Sequence, residues 1–418
     1  MIKLIEARHY RCLRYVRREL GAFQILVGPN ASGKSTFLDV VALLGDLLRN
    51  GRAAAVRARS PNIQNLVWME GWGPIKLAVE LEIPEERRSR LLQNGHVRAR
   101  YEVALGPDLK GELSILGENL WLKAVDPSRR TPTQRNLFPD PSEPTREVVL
   151  AEGKHYPRGW KKIVTKNVGS GIDYFHAETS GWNNPFRLGP QKLALANLPE
   201  DEERFPVAIW VKRLLMEGVQ RLVLNSDAMR KPAPPGGPRD FQPDGSSLPW
   251  VIDSLRHSPD SFERWLAHVR TALPDVKSIE TIERPEDKHR YMQVVYSTGL
   301  KAPSWAVSDG TLRLLALTLI AYLGAPERIY LVEEPENGIH PQAVETVFQS
   351  LSSAYGQQIL CASHSPVMLS LAEPRQVLCF ARNAEGATDI VTGDEHPNLR
   401  DWKRGADLGT LFATGVLG

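Results

Sequence analysis

The chain has 418 residues and a formal net charge of +3 at pH 7, with 42% hydrophobic and 24% charged residues. That length sets one large domain or two smaller ones with ample core, and the composition excludes a disordered or disulfide-stapled chain. No apolar run approaches the roughly 20 residues that a membrane helix needs, and the widely spaced Cys12, Cys361 and Cys379 read as reduced thiols of a cytoplasmic protein that has no membrane partner.

In chain order, Met1-Ile-Lys-Leu-Ile-Glu6 carries an acid early and has no secretory apolar segment. Residues 2–7 and 13–20 read as two short strands, and Phe23-Gln-Ile-Leu-Val27 as a buried one. The next nine residues, Gly28, Pro29, Asn30, Ala31, Ser32, Gly33, Lys34, Ser35 and Thr36, form a complete Walker A phosphate loop in its strand–loop–helix context. The two glycines let the backbone curl until several N–H groups point at phosphate oxygens. Lys34 is placed to reach the β- and γ-phosphates and the Ser35 hydroxyl to ligate Mg²⁺, while the helix start adds its positive dipole end. That helix is expected over 34–49, with Phe37, Val40, Val41, Leu43, Leu44 and Leu48 on its apolar face.

Lys76–Ile83 and Arg98–Leu105 alternate like the two arms of a hairpin. Residues 106–204 mix strand-like pieces, among them Leu113–Leu116 and Glu147–Leu150, with Pro-rich polar stretches such as 127–145, and suggest an inserted β-rich lobe. Residues 206–219 look helical, 230–247 hold five prolines and three glycines and read as a linker, and helices are expected near 247–257 and 260–272. Val276–Glu283 and Tyr291–Ser297 read as strands. From Val307 onward, helices alternate with the apolar strands Arg328–Val332 and Gln358–Ala362, which implies an α/β core on a mostly parallel sheet. The expected division is 1–105 and 300–418 for the two parts of the nucleotide-binding core, 106–204 for the insertion and 205–300 for a helical lobe with strands.

Charge is uneven. Residues 1–100 hold 17 Lys+Arg against 9 Asp+Glu, a net of +8, so the rest is net −5. Arginines cluster at 14, 17 and 18, at 49, 52, 57 and 59, and at 87, 88 and 90. These form either a solvated basic face or a surface for nucleic acid, and no nucleic-acid-binding motif chooses between the two.

The last third carries further chemistry. The strand Ile329–Val332 delivers Glu333 and Glu334 at its carboxyl end, where open parallel sheets bind ligands. In this Walker B arrangement the first carboxylate holds Mg²⁺ opposite Ser35, and the second orients and deprotonates the attacking water. Ser308, Asp309, Gly310 and Thr311 form a small-residue turn before an apolar helix. Such a turn is both an N-cap and an anion-binding surface. His364 ends the next strand at the same sheet edge, placed as a sensor of the γ-phosphate.

In that order, Gly28–Thr36, Ser308–Thr311, Glu333-Glu334-Pro335-Glu336-Asn337-Gly338 and His364 resemble the ABC-type ATPases of the SMC/RecF/OLD kind. The resemblance covers residues 1–50 and 300–370. It implies ATP and Mg²⁺ as cofactors, Glu334 and His364 as catalytic residues, and head-to-tail dimerisation in which Ser308–Thr311 touches the partner's nucleotide. His9-Tyr-Arg-Cys-Leu13 looks like the group's Phe-Arg-Ser-Leu element and would put Arg11 near the phosphates. Gln64 could stand at the Q-loop position, beside Ser35 and Glu333 at the metal. Glu333 departs from the group's usual aspartate and Asp309 from its usual glycine. With 271 residues between Thr36 and Ser308, the chain fits compact transporter cassettes poorly, and it lacks the sustained heptads of SMC coiled coils.

Only 54 residues follow His364, too few for the TOPRIM nuclease domain of OLD proteins. The chain looks most like the stand-alone bacterial predicted ATPases of anti-phage defence type, which work with a separately encoded nuclease or effector. The run 401–418 also resembles that set, as either a docking tail or an apolar strap on the core. Two other readings stay open: a DNA-repair or chromosome-maintenance ATPase of RecF/SMC type, and a scaffold that keeps ATP as a structural ligand with little turnover.

Overall fold

The computed structural model describes residues 1–71, 73–92, 95–108, 110–124, 137–139, 148, 158–167, 171–324, 327–399 and 408–413. The chain opens with β1 (Ile2–Tyr10), β2 (Leu13–Glu19) and β3 (Phe23–Val27), then α1 (Lys34–Arg57), β4 (Ile75–Glu82), the short α2 (Glu85–Arg88) and β5 (His96–Pro107). β6 (Leu113–Ala124), β7 (Trp160–Asn167), β8 (Ile172–His176) and β9 (Asn183–Phe186) follow. All of these strands but β3 form one eight-stranded sheet, ordered β2-β1-β4-β5-β6-β7-β8-β9 and antiparallel throughout. The stretch 106–204 thus continues the sheet begun by the first hundred residues, with the β5–β6 pair at its centre. The strand piece expected at Glu147–Leu150, apart from Val148, and most of the Pro-rich 127–145 lie outside the described residues.

The second sheet holds six strands, β10 (Val219–Leu222), β14 (Ile329–Glu333), β15 (Gln358–Ala362), β3, β16 (Val377–Arg382) and β17 (Thr388–Thr392), in that order. Four of its five pairings are parallel; only β16–β17 is antiparallel. Between β9 and β14 lie α3 (Pro206–Arg213), α4 (Ser226–Arg230), α5 (Leu248–Arg256), α6 (Pro259–Ala272) and α7 (Asp309–Leu319). A small antiparallel sheet of β11 (Val276–Glu283), β12 (Arg290–Tyr296) and β13 (Lys301–Pro303) stands among them. α8 (Pro341–Ser352), α9 (Pro366–Ser370) and α10 (Leu408–Ala413) complete the fold.

Alternate residues of β3 explain the layering. Leu26 enters a core shared with α1 and the large antiparallel sheet, whereas Phe23, Ile25 and Val27 enter a second core with α5 to α9. A strand buried on both faces is largely apolar on both, which is why 23–27 reads as an apolar run broken only by Gln24, whose amide donates to the Arg375 carbonyl at 3.2 Å. α1 is sandwiched between the two sheets by Phe37, Val40, Val41 and Leu44. It runs past the expected end at residue 49, turning at Gly51 (φ 75°) to finish at Arg57. Of the C-terminal stretch, Leu408 is buried in the second core, with Leu411 and Phe412 packed against it.

Two buried carboxylates tie the sheets to helix starts. Glu118 accepts from the Tyr101 hydroxyl and from the N–H groups of Ala194 and Leu195, and Glu178 from those of Val207 and Ala208, both at 2.7 Å. Burial outweighs these donors and pushes both carboxyls up to about 7. The folded state therefore keeps protons that the unfolded chain releases near pH 4.5, so these groups favour folding below that pH and lose this contribution as pH rises through 7. Melting temperature is expected to decline from pH 5 to pH 8, and the double variant Glu118→Gln/Glu178→Gln to flatten that decline in a thermal-melt series. An unchanged slope in the double variant would contradict this assignment.

Candidate functional site

β3 ends at Val27 and the loop that follows is fixed by close backbone approaches. Gly28 has φ 146°, and a Cβ there would lie 2.2 Å from the carbonyl oxygen of Phe380 on β16. Gly33 has φ 106°, and a Cβ there would lie 2.4 Å from Thr388 Oγ1 on β17. Thr388 Oγ1 also donates to the Ser32 carbonyl at 2.8 Å. The β16–β17 pair, which the sequence reading passed over, is thus the wall against which the loop is moulded. Gly33 caps α1 without a side-chain hydrogen bond, so the first-turn N–H groups are left for an anion. Lys34 is nearly buried, and its Nζ donates to the carbonyls of Gly28 and Pro29 at 2.7 and 2.9 Å. Burial lowers its pKa, while Glu334 and then Glu333 pull it back up.

Parallel pairing brings the carboxylates to this loop. β15 lies between β3 and β14, with Glu333 opposite Ala362 in the register. The Ser35 hydroxyl donates to Glu333 Oε2, and Arg221 Nη2 lies 2.5 Å from Glu333 Oε1. Glu334 is exposed and sits in left-handed backbone at φ 48°, held by its N–H to the Ala362 carbonyl at 2.8 Å. A non-glycine residue held in that region is strained, and such strain clusters at working sites. His364 is half-buried just past β15. Its N–H and the Ser363 hydroxyl both donate to Glu336 Oε1 at 2.8 Å, so the segment after the double glutamate grips the histidine's turn.

These groups surround a cleft of about 370 Å³ lined by Asn30 to Thr36, Glu333, Glu334 and His364. Arg11 also lines it, at φ 50°, as do Cys12 and Arg382, which sequence reasoning missed. Behind the cleft, Asp39 of α1 lies 4.0 Å from Arg11, takes the Tyr10 hydroxyl, and binds Arg59 at 2.8–2.9 Å. Gln64 is exposed on a single turn, Ile63–Leu66, and is not among the lining residues. Its turn is nevertheless tied to Arg11, whose N–H donates to the Leu66 carbonyl at 2.8 Å. Hydroxyl and carboxylate oxygens converging at Ser35 and Glu333 are the hard donors that suit Mg²⁺. No cluster of three or more His, Cys, Asp or Glu able to hold a metal ion occurs among the described residues.

Ser308 to Thr311 lies elsewhere. Ser308 caps α7, accepting from the Thr311 N–H at 3.2 Å and donating to Thr311 Oγ1 at 2.9 Å. A Cβ on Gly310 would lie 2.5 Å from the Gly338 carbonyl, so this turn packs on the segment that follows Glu333-Glu334. Asp309 is ion-paired to Arg230 of α4, which also donates to the Val307 carbonyl at 3.2 Å. None of the four lines the cleft of its own chain.

No helix among the described residues is long and apolar enough to cross a membrane. No curated protein matches the chain. Two solved structures are similar over almost its full length. One is an Smc head bound to the C-winged helix domain of ScpA, at 15% identity and TM-score 0.52, covering 94% of this chain and 97% of that one. The other is the Pyrococcus furiosus Smc head domain with an extended coiled coil, bound to the C-terminal domain of ScpA, at 13% identity and TM-score 0.50, covering 94% and 96%. At such identities the likeness shows the fold alone: the α/β P-loop architecture of an SMC head. Residues 23–370 match a family model, and with most of its length inside that match the chain belongs to the family described as AAA domain, putative AbiEii toxin, Type IV TA system.

Proposed function

We propose that this chain binds and hydrolyses ATP in the cleft beside α1 and that ATP closes two copies head to tail. The observation that carries the reading is the convergence of Lys34, Ser35, Glu333, Glu334 and His364 at the carboxyl ends of β3, β14 and β15. The loop amides and Lys34 hold the phosphates. Ser35 and Glu333 hold Mg²⁺, which supplies charge neutralisation at the β- and γ-phosphates. Glu334 accepts the proton of the attacking water, and His364 senses the γ-phosphate from the neighbouring strand end. Arg11 contributes positive charge from the β1–β2 turn. Gln64, exposed and outside the cleft lining, is given no part at the metal.

Because Ser308–Thr311 caps a helix away from its own cleft, we assign it to the nucleotide of a partner copy. The biological role we propose is that of a sensor and motor in a bacterial anti-phage defence system, acting with a separate nuclease or effector. Support comes from membership of a toxin–antitoxin-related ATPase family. The strained, exposed Glu334 favours turnover over a passive scaffold. The test is the mass of Glu334→Gln protein by light scattering: ATP should double it and ADP should not. A mass that stays monomeric at saturating ATP would remove the dimer from the proposal.

A further inference from the structure

We propose that Arg221 is the resident counter-cation of Glu333 and sets how readily the site takes up its divalent ion. The inference rests on Ser35 and Glu333 being the ion's ligands. Arg221 stands on β10, which flanks β14 on the side away from the phosphate loop, and pairs with Leu331 two residues before Glu333. From there its guanidinium reaches Glu333 Oε1 at 2.5 Å, while Glu333 Oε2 is taken by the Ser35 hydroxyl. Both oxygens of the carboxylate are therefore engaged. A magnesium ion requires its oxygen ligands at about 2.0–2.1 Å in near-octahedral order, so the Ser35–Glu333 contact must open when both hold the ion, and the guanidinium on Oε1 then stands beside a second cation on the same carboxylate.

Charge balance points the same way. Glu333 faces Lys34 from the loop and is paired to Arg221 from β10, and Arg11 and Arg382 line the same cleft. Mg²⁺ set beside Glu333 repels a cation already paired to that carboxylate, while Lys34 is drawn to the nucleotide's phosphates. Lys34 is nearly buried and held by two carbonyls, whereas the side chain of Arg221 is 49% exposed. Arg221 is thus the group that can leave. Half-exposed ion pairs are weak enough to be displaced. The carboxylate of Glu333 spans Arg221 and Ser35 at once. Arg221 is a positioning residue: it orients Glu333 and competes with the ion for it.

The experiment is a Mg²⁺ titration of ATP binding, read by anisotropy of a fluorescent ATP analogue on a Glu334→Gln background that prevents turnover. Mn²⁺ binding to the nucleotide complex, followed by electron paramagnetic resonance, gives the ion's occupancy directly. Arg221→Gln should lower the half-saturating metal concentration roughly two- to fivefold, the span set by a displaceable surface pair, and Arg221→Lys should stay close to the parent. An unchanged or raised half-saturation in Arg221→Gln would overturn the proposal. Glu333→Ala separates the two levels of the argument. If it shifts the metal dependence and Arg221→Gln does not, the arginine's role fails alone. If Glu333→Ala shifts nothing, the ion-ligand assignment fails and takes the arginine's role with it.

Discussion

Glu334→Gln is expected to lower ATP turnover by about two to four orders of magnitude, the range supplied by a positioned general base, while leaving ATP affinity near the parent value. The amide keeps the size of the side chain and cannot take the proton of the attacking water. The backbone cost at this position is the same for both residues, since each would sit at φ 48° with its N–H on the Ala362 carbonyl. Folding should therefore be untouched and the loss confined to chemistry. Single-turnover hydrolysis and equilibrium ATP binding, measured on the same preparation, separate the two. Turnover within a few-fold of the parent would move the base elsewhere, with Glu333 and His364 next to test.

Lys34→Ala is the second large effect. The ammonium is the one side-chain cation set inside the loop, donating to the carbonyls of Gly28 and Pro29, and a nucleotide's phosphates are the stronger acceptors for it. Charge-assisted hydrogen bonds of this kind are worth about 1.5–3 kcal/mol each, so ATP affinity should fall by roughly one to two orders of magnitude, and turnover with it. Removing the charge also leaves Glu333 and Glu334 without the loop cation that faces them, which disfavours an anionic ligand further. Isothermal titration with ATP checks this. A parent-like affinity would mean that the phosphates sit elsewhere.

The chemistry-bearing part of the fold was readable because its residues are local and obligatory. Strands β3, β14 and β15 are buried on both faces, so apart from Gln24 and Gln358 each is an apolar run, and each leads into polar or small residues at the sheet edge where ligands bind. Gly28 and Gly33 are needed where a Cβ would strike β16 and β17, and such positions announce themselves as glycine.

Partners distant in sequence were not readable. Arg221 and Arg230 lie on a short edge strand and a five-residue helix, and nothing in the intervening sequence says that they meet Glu333 and Asp309 more than seventy residues later. Arg382 and Cys12 reach the cleft only because β16 and the β1–β2 turn flank the loop. The same limit hid the continuity of the antiparallel sheet. The strand-like piece Leu113–Leu116 opens β6, but the pairing of β6 with β5 rather than within a separate lobe is a matter of register. Asn50-Gly51 looks like a helix stop, yet α1 resumes after Gly51 because Ala55 and Val56 are buried in the core.

The composite site is the centre of this account, and mixing two inactive variants tests it most directly. Lys34→Ala weakens nucleotide binding and turnover in the cleft of one copy, and Ser308→Arg places a bulky cation on the turn assigned to the other copy's nucleotide. Each protein alone should be inactive. In a mixed dimer one cleft keeps both its own Lys34 and the partner's Ser308, so ATP turnover should return on mixing, to about a quarter of the parent rate if the chains pair at random and one intact site suffices. If mass analysis shows heterodimers in the mixture and turnover remains at the level of the separate variants, the head-to-tail composite site is contradicted.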